Sequence, residues 1–183
     1  PSDADHFAKF GTSVAFSGDT LVVGATGVEH PWGDYGAAYV FVRVGTTWVE
    51  QARLGPQNNP NLWAFDFGTS VAISGDTVLV GDPLGDFLLG AWGGAAWVCV
   101  RSGTSWSLEK VLKASDAVGS EDFGISVAVA GDTALIGAYY DTHAPGAFGH
   151  QVTGEGSAYV FKRSGSNWNE KAKLTASNAS SGD

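Results

Sequence analysis

Phe67-Gly68-Thr69-Ser70-Val71-Ala72-Ile73-Ser74-Gly75-Asp76-Thr77 is a phrase that the chain carries three times, and the repetition governs how everything else folds. Phe10-Gly11-Thr12-Ser13-Val14-Ala15-Phe16-Ser17-Gly18-Asp19-Thr20 stands 57 residues before it. Phe123-Gly124-Ile125-Ser126-Val127-Ala128-Val129-Ala130-Gly131-Asp132-Thr133 stands 56 residues after it. A period of this length marks a repeat architecture. A residue type shared by all three copies therefore reads as scaffold before it reads as active site.

Around the phrase, each copy holds four runs rich in Val, Tyr, Phe, Trp and Thr, bounded by Gly and Asp turns, and these read as strands. In the first copy they cover 11–16, 20–25, 36–43 and 47–54. In the second they cover 68–73, 77–82, 94–101 and 105–112, and in the third 124–130, 133–138, 156–163 and 167–174. No segment shows a helical period with caps. Strands one and two join through a tight Gly-Asp turn, and strands three and four through Gly45, Gly103 or Gly165, so both hairpins are short. The other two links are long and lie at the opposite end of an antiparallel meander. Ser-Val-Ala in the first strand suits a crowded inner position. The third strand, as in Ala38-Tyr39-Val40-Phe41-Val42, is apolar on both faces, so each sheet is expected to be covered on both sides. Trp48, Trp106 and Trp168 fall at one place in the fourth strand, which reads as packing between sheets, with sugar stacking as the alternative. The units expected are 1–56, 57–113 and 114–176, with 177–183 beginning a further repeat or a tail.

Composition narrows the function classes. The 183 residues include 26 Gly, 44% are hydrophobic and 16% charged, which describes a turn-rich globular chain. A net charge of −9 argues against attraction to nucleic acid or an anionic membrane. No apolar run approaches the ~18 residues of a membrane span, so no membrane insertion is expected. The single cysteine, Cys99, precludes an intrachain disulfide or a cysteine metal site. It stands where the other copies have Phe41 and Phe161, so it reads as a small buried hydrophobe. The chain starts at Pro1 and contains no Met, so it reads as a processed chain or an excerpt. Ser177-Asn178-Ala179 restarts the phrase seen at Ser115-Asp116-Ala117, and a fourth Phe-Gly is expected two residues past Asp183.

The Phe-Gly pairs at 10, 67 and 123, the looser Gly24-Ala25-Thr26, Gly81-Asp82-Pro83 and Gly137-Ala138-Tyr139, and the Gly36–Phe41 phrase with its copies at 94–99 and 156–161 together resemble the FG-GAP repeat. That family builds the β-propeller of integrin α subunits and occurs in many bacterial surface proteins. The resemblance implies an all-β fold of three four-stranded antiparallel propeller blades and an extracellular or cell-surface location. Propellers typically close with ~4–8 blades. Three are therefore expected to be completed by oligomerisation or by further repeats. Many family members hold Ca²⁺ in an acidic loop between the first and second strands. Here that link carries one acid per copy: Asp19, Asp76 and Asp132. Calcium takes ~6–8 oxygen ligands, so those sites are not carried over, no cofactor is expected, and the three aspartates read as holding their own turns.

Specific function is expected where the copies disagree, in 26–35, 82–93 and 139–155. The ligand or partner candidates there are Trp32, Asp34, Tyr35, Asp86, Trp92, Tyr139, Tyr140 and Asp141. Thirteen of the 19 acids, Asp82, Glu121 and Asp141 among them, fall at the long-link end. That end reads as a seat for cations or a basic partner, or as a solvated acidic rim. Asp141 with His143 and His150 is a weak metal candidate, and Asn178-Ala179-Ser180 is a glycosylation sequon. No catalytic motif is present. The expectation is a non-enzymatic extracellular module for adhesion or self-assembly, as a surface filament or part of a larger propeller. Its partners would be other copies of itself or further blades. The alternative is a propeller that binds carbohydrate, or binds protein in a cation-dependent way, through its long acidic-end loops.

Overall fold

The computed structural model describes residues 8–30, 33–34, 36–56, 64–85, 93–117, 119, 121–141 and 154–177. The first copy gives β1 (Phe10–Ser17), β2 (Thr20–Ala25), a short ribbon of β3 (Glu29–His30) and β4 (Gly33–Asp34), then β5 (Ala37–Val44) and β6 (Thr47–Leu54). The second gives β7 (Ser70–Ser74), β8 (Thr77–Asp82), β9 (Ala95–Ser102) and β10 (Ser105–Leu112). The third gives β11 (Ser126–Ala130), β12 (Thr133–Ala138), β13 (Ser157–Ser164) and β14 (Asn167–Leu174). Every strand expected from the sequence is present within about two residues at its ends. The β3–β4 ribbon is an addition that the strand pattern does not announce.

Each copy folds into one antiparallel meander, in the orders β1-β2-β5-β6, β7-β8-β9-β10 and β11-β12-β13-β14. The three sheets stack face to face, with β1 against β7 and β7 against β11, so the small-residue first strands do sit innermost. Among the described residues no helix is long and apolar enough to cross a membrane.

The period-2 alternation sorts each strand between two neighbours. In the second sheet Val78, Val80, Trp97 and Cys99 join Val22, Val40 and Leu54 of the first. On its other face Leu79, Val98 and Leu112 join Ile136, Tyr159, Phe161 and Trp168 of the third. The two largest cores among the described residues therefore lie between sheets. Burying each large aliphatic or aromatic side chain contributes roughly 1.5–3 kcal/mol, so the stack is held by its interfaces. The outer side of the first sheet keeps a smaller cluster of Ala8, Ala25, Val28, Ala37 and Tyr39.

One irregularity recurs. The pairing of third with fourth strand slips between Val40 and Phe41, between Leu108 and Lys110, and between Val160 and Phe161. The unpaired residues are Gln51, Glu109 and Lys171, at one position in the three copies. A bulge re-aims the side chain it carries, and the use made of it is at the sheet interface.

Candidate functional site

The best-defined polar geometry lies between sheets. On the inner side, Ser13 Oγ donates to the Gly68 carbonyl and Ser70 Oγ to the Gly124 carbonyl, both at 2.8 Å. Gly24 and Gly81 permit that approach, since a Cβ there would collide with the same carbonyl oxygens. Gly68 and Gly124 have φ of 95° and 101°, the left-handed region that favours glycine. Parallel bridges Gly36–Phe67 and Gly94–Phe123 continue the contact. The phenylalanine of each Phe-Gly pair then lies edge-on to an aromatic of its own third strand: Phe10 to Tyr39 (5.6 Å), Phe67 to Trp97 (5.4 Å) and Phe123 to Tyr159 (5.3 Å).

On the outer side the bulge forms a clasp. Trp106 Nε1 donates to Gln51 Oε1 at 2.8 Å, and Trp168 Nε1 to Glu109 Oε2 at 2.9 Å. Arg163 adds a 2.6 Å ion pair to Glu109, with both side chains mostly shielded. Arg101 reaches Thr20 at 3.1 Å, and Arg163 reaches Thr77 at 3.4 Å. At the turns, Ser17 Oγ accepts from Gly75 N–H and Ser74 Oγ from Gly131 N–H. The turn aspartates Asp19 and Asp76 pair with Arg43 (3.0 Å) and Arg101 (2.6 Å), partners that turn chemistry does not reveal.

These contacts repeat from the first interface to the second, and they use the signposts of the repeat. The FG-GAP repeat description matches residues 1–41, 48–99 and 106–161. The chain belongs to the FG-GAP repeat family. Two of the matched FG-GAP units begin on the fourth strand of one sheet and end on the third strand of the next, so the family's unit straddles the interface just described. Among solved structures, Saccharomyces cerevisiae Sqt1 is similar at a TM-score of 0.58 and 10% identity, over 97% of this chain and 38% of that one. That likeness concerns fold alone. No curated protein matches the FG-GAP chain.

At the long-link end, three acids of the expected rim are interior: Asp82, Glu121 and Asp141 are buried. Asp82 stands where the other FG-GAP copies have Ala25 and Ala138. Its Oδ1 accepts from the N–H groups of Phe65 (3.3 Å) and Asp66 (3.2 Å). Its Oδ2 has no hydrogen-bond partner among the described residues, and it lies where a Cβ on Gly85 would collide with it. Burial pushes its pKa up to about 7, against the lowering effect of those two N–H groups. The Trp97 indole lies near enough to favour the carboxylate, yet Nε1 does not meet hydrogen-bond geometry with it.

Asp141 is tied into a polar cluster. Lys173 Nζ lies 2.6 Å from Asp116 and 2.7 Å from Asp141, and the single Tyr159 hydroxyl proton is shared between the two carboxylates, with Oη 2.8 Å from Asp116 Oδ1 and 3.1 Å from Asp141 Oδ2. Burial opposes the charge on Lys173, but its two acidic partners outweigh that and raise its pKa. For Asp116, burial raises the pKa, but Lys173 and Tyr159 outweigh that and lower it. This set anchors the link between the second and third sheets, and Asp141 spends its carboxylate there. Tyr139 stacks on Tyr140 at 3.9 Å and remains exposed. A hydrogen bond with Tyr140 pushes the Tyr139 hydroxyl up to about 12. Of the other candidates, Asp34 lies on β4, while Trp32, Tyr35, Asp86, Trp92, His143, His150 and Asn178 lie outside the described residues. Among the described residues no three His, Cys, Asp or Glu side chains gather to hold a metal ion.

Cys99 is buried, and burial pushes its thiol up to about 12. It lines a cavity of ≈ 100 Å³ with Arg53, Leu54, Phe67, Trp97 and Trp106. In the other copies this strand position holds Phe41 or Phe161, and those rings pack at 6.1 and 6.2 Å from Phe10 and Phe123. The cavity is therefore the room a phenyl ring takes in the neighbouring blades.

Proposed function

We propose that this FG-GAP chain is a non-enzymatic interaction module of the cell surface or extracellular space, whose blades complete a larger propeller or stack. One observation carries the reading. The first sheet presents Val14 and Phe16 at 71% and 75% exposure, beside exposed Phe10 and Trp48, while their counterparts Val71 and Ile73 in the second sheet are both at 9%. A face built to meet another blade is bare, and contiguous apolar surface of this kind marks an interaction site.

Electron microscopy of the native particle tests it. Rings or continuous stacks with covered terminal blades are the expected result. Isolated three-blade particles with both end faces bare would overturn it. In the assembled particle, Phe16→Glu on the first sheet is expected to abolish assembly while near-UV circular dichroism stays unchanged.

A second reading is favoured by the Tyr139–Tyr140 pair, where the copies diverge and Tyr139 presents an exposed ring against a half-buried Tyr140. It assigns that end to a glycan or protein ligand. Binding on a glycan array that disappears in Tyr139→Ala would support it, and equal binding by that variant would count against it.

A further inference from the structure

The two terminal faces are the halves of one repeated joint, and they do not match each other. Toward its successor, each of the first two sheets offers the same acceptors: a bulge residue for the next tryptophan, a threonine for the next arginine, and a serine for the next turn N–H. The first sheet supplies Gln51, Thr20 and Ser17, and the second Glu109, Thr77 and Ser74.

On the third sheet the bulge residue and the serine of this set are replaced, and the threonine has a cation beside it. The bulge residue is Lys171, exposed, whose ammonium group donates and cannot accept. The threonine, Thr133, is kept, but its Oγ1 already accepts from Lys162 Nζ of its own sheet at 2.5 Å, which sets a second cation where the next arginine would reach. Lys162 itself stands where the other sheets have Val42 and Val100. The serine is replaced by Ala130. The inner hook is retained, with Ser126 and Gly137 at the places of Ser13 and Gly24. The third face therefore keeps the seat for a Phe-Gly turn and converts the outer clasp from acceptor to cation.

The first sheet of a second copy fits this face poorly. In the register of the two internal joints it would bring Arg43 and Trp48 against Lys171, a cation and an N–H donor against a cation. Two chains of net charge −9 also repel as wholes. We infer that the far face of the third sheet seats an FG-GAP-type blade whose clasp positions carry carboxylates in place of Arg43 and Trp48, and that it does not seat the first sheet of a second copy. This rests on the reading of the chain as a stack-completing module. It goes beyond that reading by giving the partner's chemistry and by excluding a head-to-tail homopolymer.

A charge-exchange cycle on the whole chain tests it, read by sedimentation velocity over a concentration series at low and high salt. Lys171→Glu restores the chemistry of Glu109. Arg43→Glu turns a docking copy into the acidic blade the inference requires. Each is expected to tighten self-association by about tenfold or more over wild type, with the gain lost at high salt. The double variant is expected to return to the wild-type level, because the two introduced carboxylates then face each other across the joint. Lys171→Gln, copying Gln51, is expected to give a smaller gain that survives salt. Both positions are exposed, and near-UV circular dichroism checks that every variant is folded. Wild type associating as tightly as the single variants, or single variants associating no better than wild type, would overturn the inference. A flat cycle would leave the function reading intact, whereas bare native particles would sink that reading without altering the cycle.

Discussion

The first and second sheets use the same words and live in different surroundings. Phe67, Val71 and Ile73 are buried under the first sheet, whereas Phe10, Val14 and Phe16 on the same strand positions are exposed. Trp106 closes on Gln51, while its counterpart Trp48 stands open. Both sheets have the same pairing order and the same bulge. A blade here is thus folded by its own hydrogen bonds and stabilised by its neighbour, so equal substitutions in two blades should cost unequal amounts.

The largest expected effect comes from opening a joint. Gly81→Ala drives a Cβ into the Gly124 carbonyl, where backbone must move. A loss on the order of 5 kcal/mol in denaturant unfolding is expected. Gly137→Ala meets the Ser126 side chain, which can turn aside, and should cost much less.

A second effect separates the middle blade from both others. Asp82 has a folded pKa near 7, above its ordinary value of 3.8. The folded state then holds a proton that the unfolded state releases between these values, so stability falls as pH rises. The contribution is fully present below pH ~4 and lost by pH ~8, with a swing of roughly 4 kcal/mol. Thermal melts from pH 4 to 8 should show this decline, and Asp82→Asn should flatten it. An unchanged decline in the variant would assign the dependence elsewhere.

The third sets two equivalent phenylalanines side by side. Phe67→Ala is expected to cost about 3–4 kcal/mol and Phe10→Ala about 1 kcal/mol. Equal costs would mean the neighbouring sheet contributes nothing to the Phe-Gly position. The smallest effect concerns the cavity. Cys99→Phe should fill it and raise stability by about 1 kcal/mol, bringing the second blade to the pattern of the first and third. A loss would show that Trp97, which replaces the tyrosine of the other copies, has already taken part of that room.

Much of this is legible in the residues themselves. The alternation in Thr77–Asp82, the Gly-Asp turns and the repeated glycines specify the strands, their order and the inner place of the Ser-Val-Ala strand, because these depend on residues near in sequence. The burial of Cys99 follows from comparing the copies, and the thiol is buried. The bulge is not legible, since Gln51, Glu109 and Lys171 look like ordinary fourth-strand surface residues until the register slips. Nor is the fate of the acids. Asp82, Glu121 and Asp141 sit among other link-end carboxylates in sequence, and only packing separates interior from rim. The disagreement of Lys171 with Gln51 and Glu109 is visible when the copies are aligned, and it has no meaning until the tryptophan reaches across.

The residues of one copy are enough to specify a blade's strands and its meander, and the three copies compared give the period and the family. The strands and the meander follow from side-chain alternation and turn chemistry, which act over a few residues. Which of three nearly identical blades are covered, which acids lose water, and which side chain on a bulge meets a donor or a cation depend instead on the assembled stack. Burial and desolvation are properties of what lies opposite, and for a stacked repeat what lies opposite is another copy some 56 residues away.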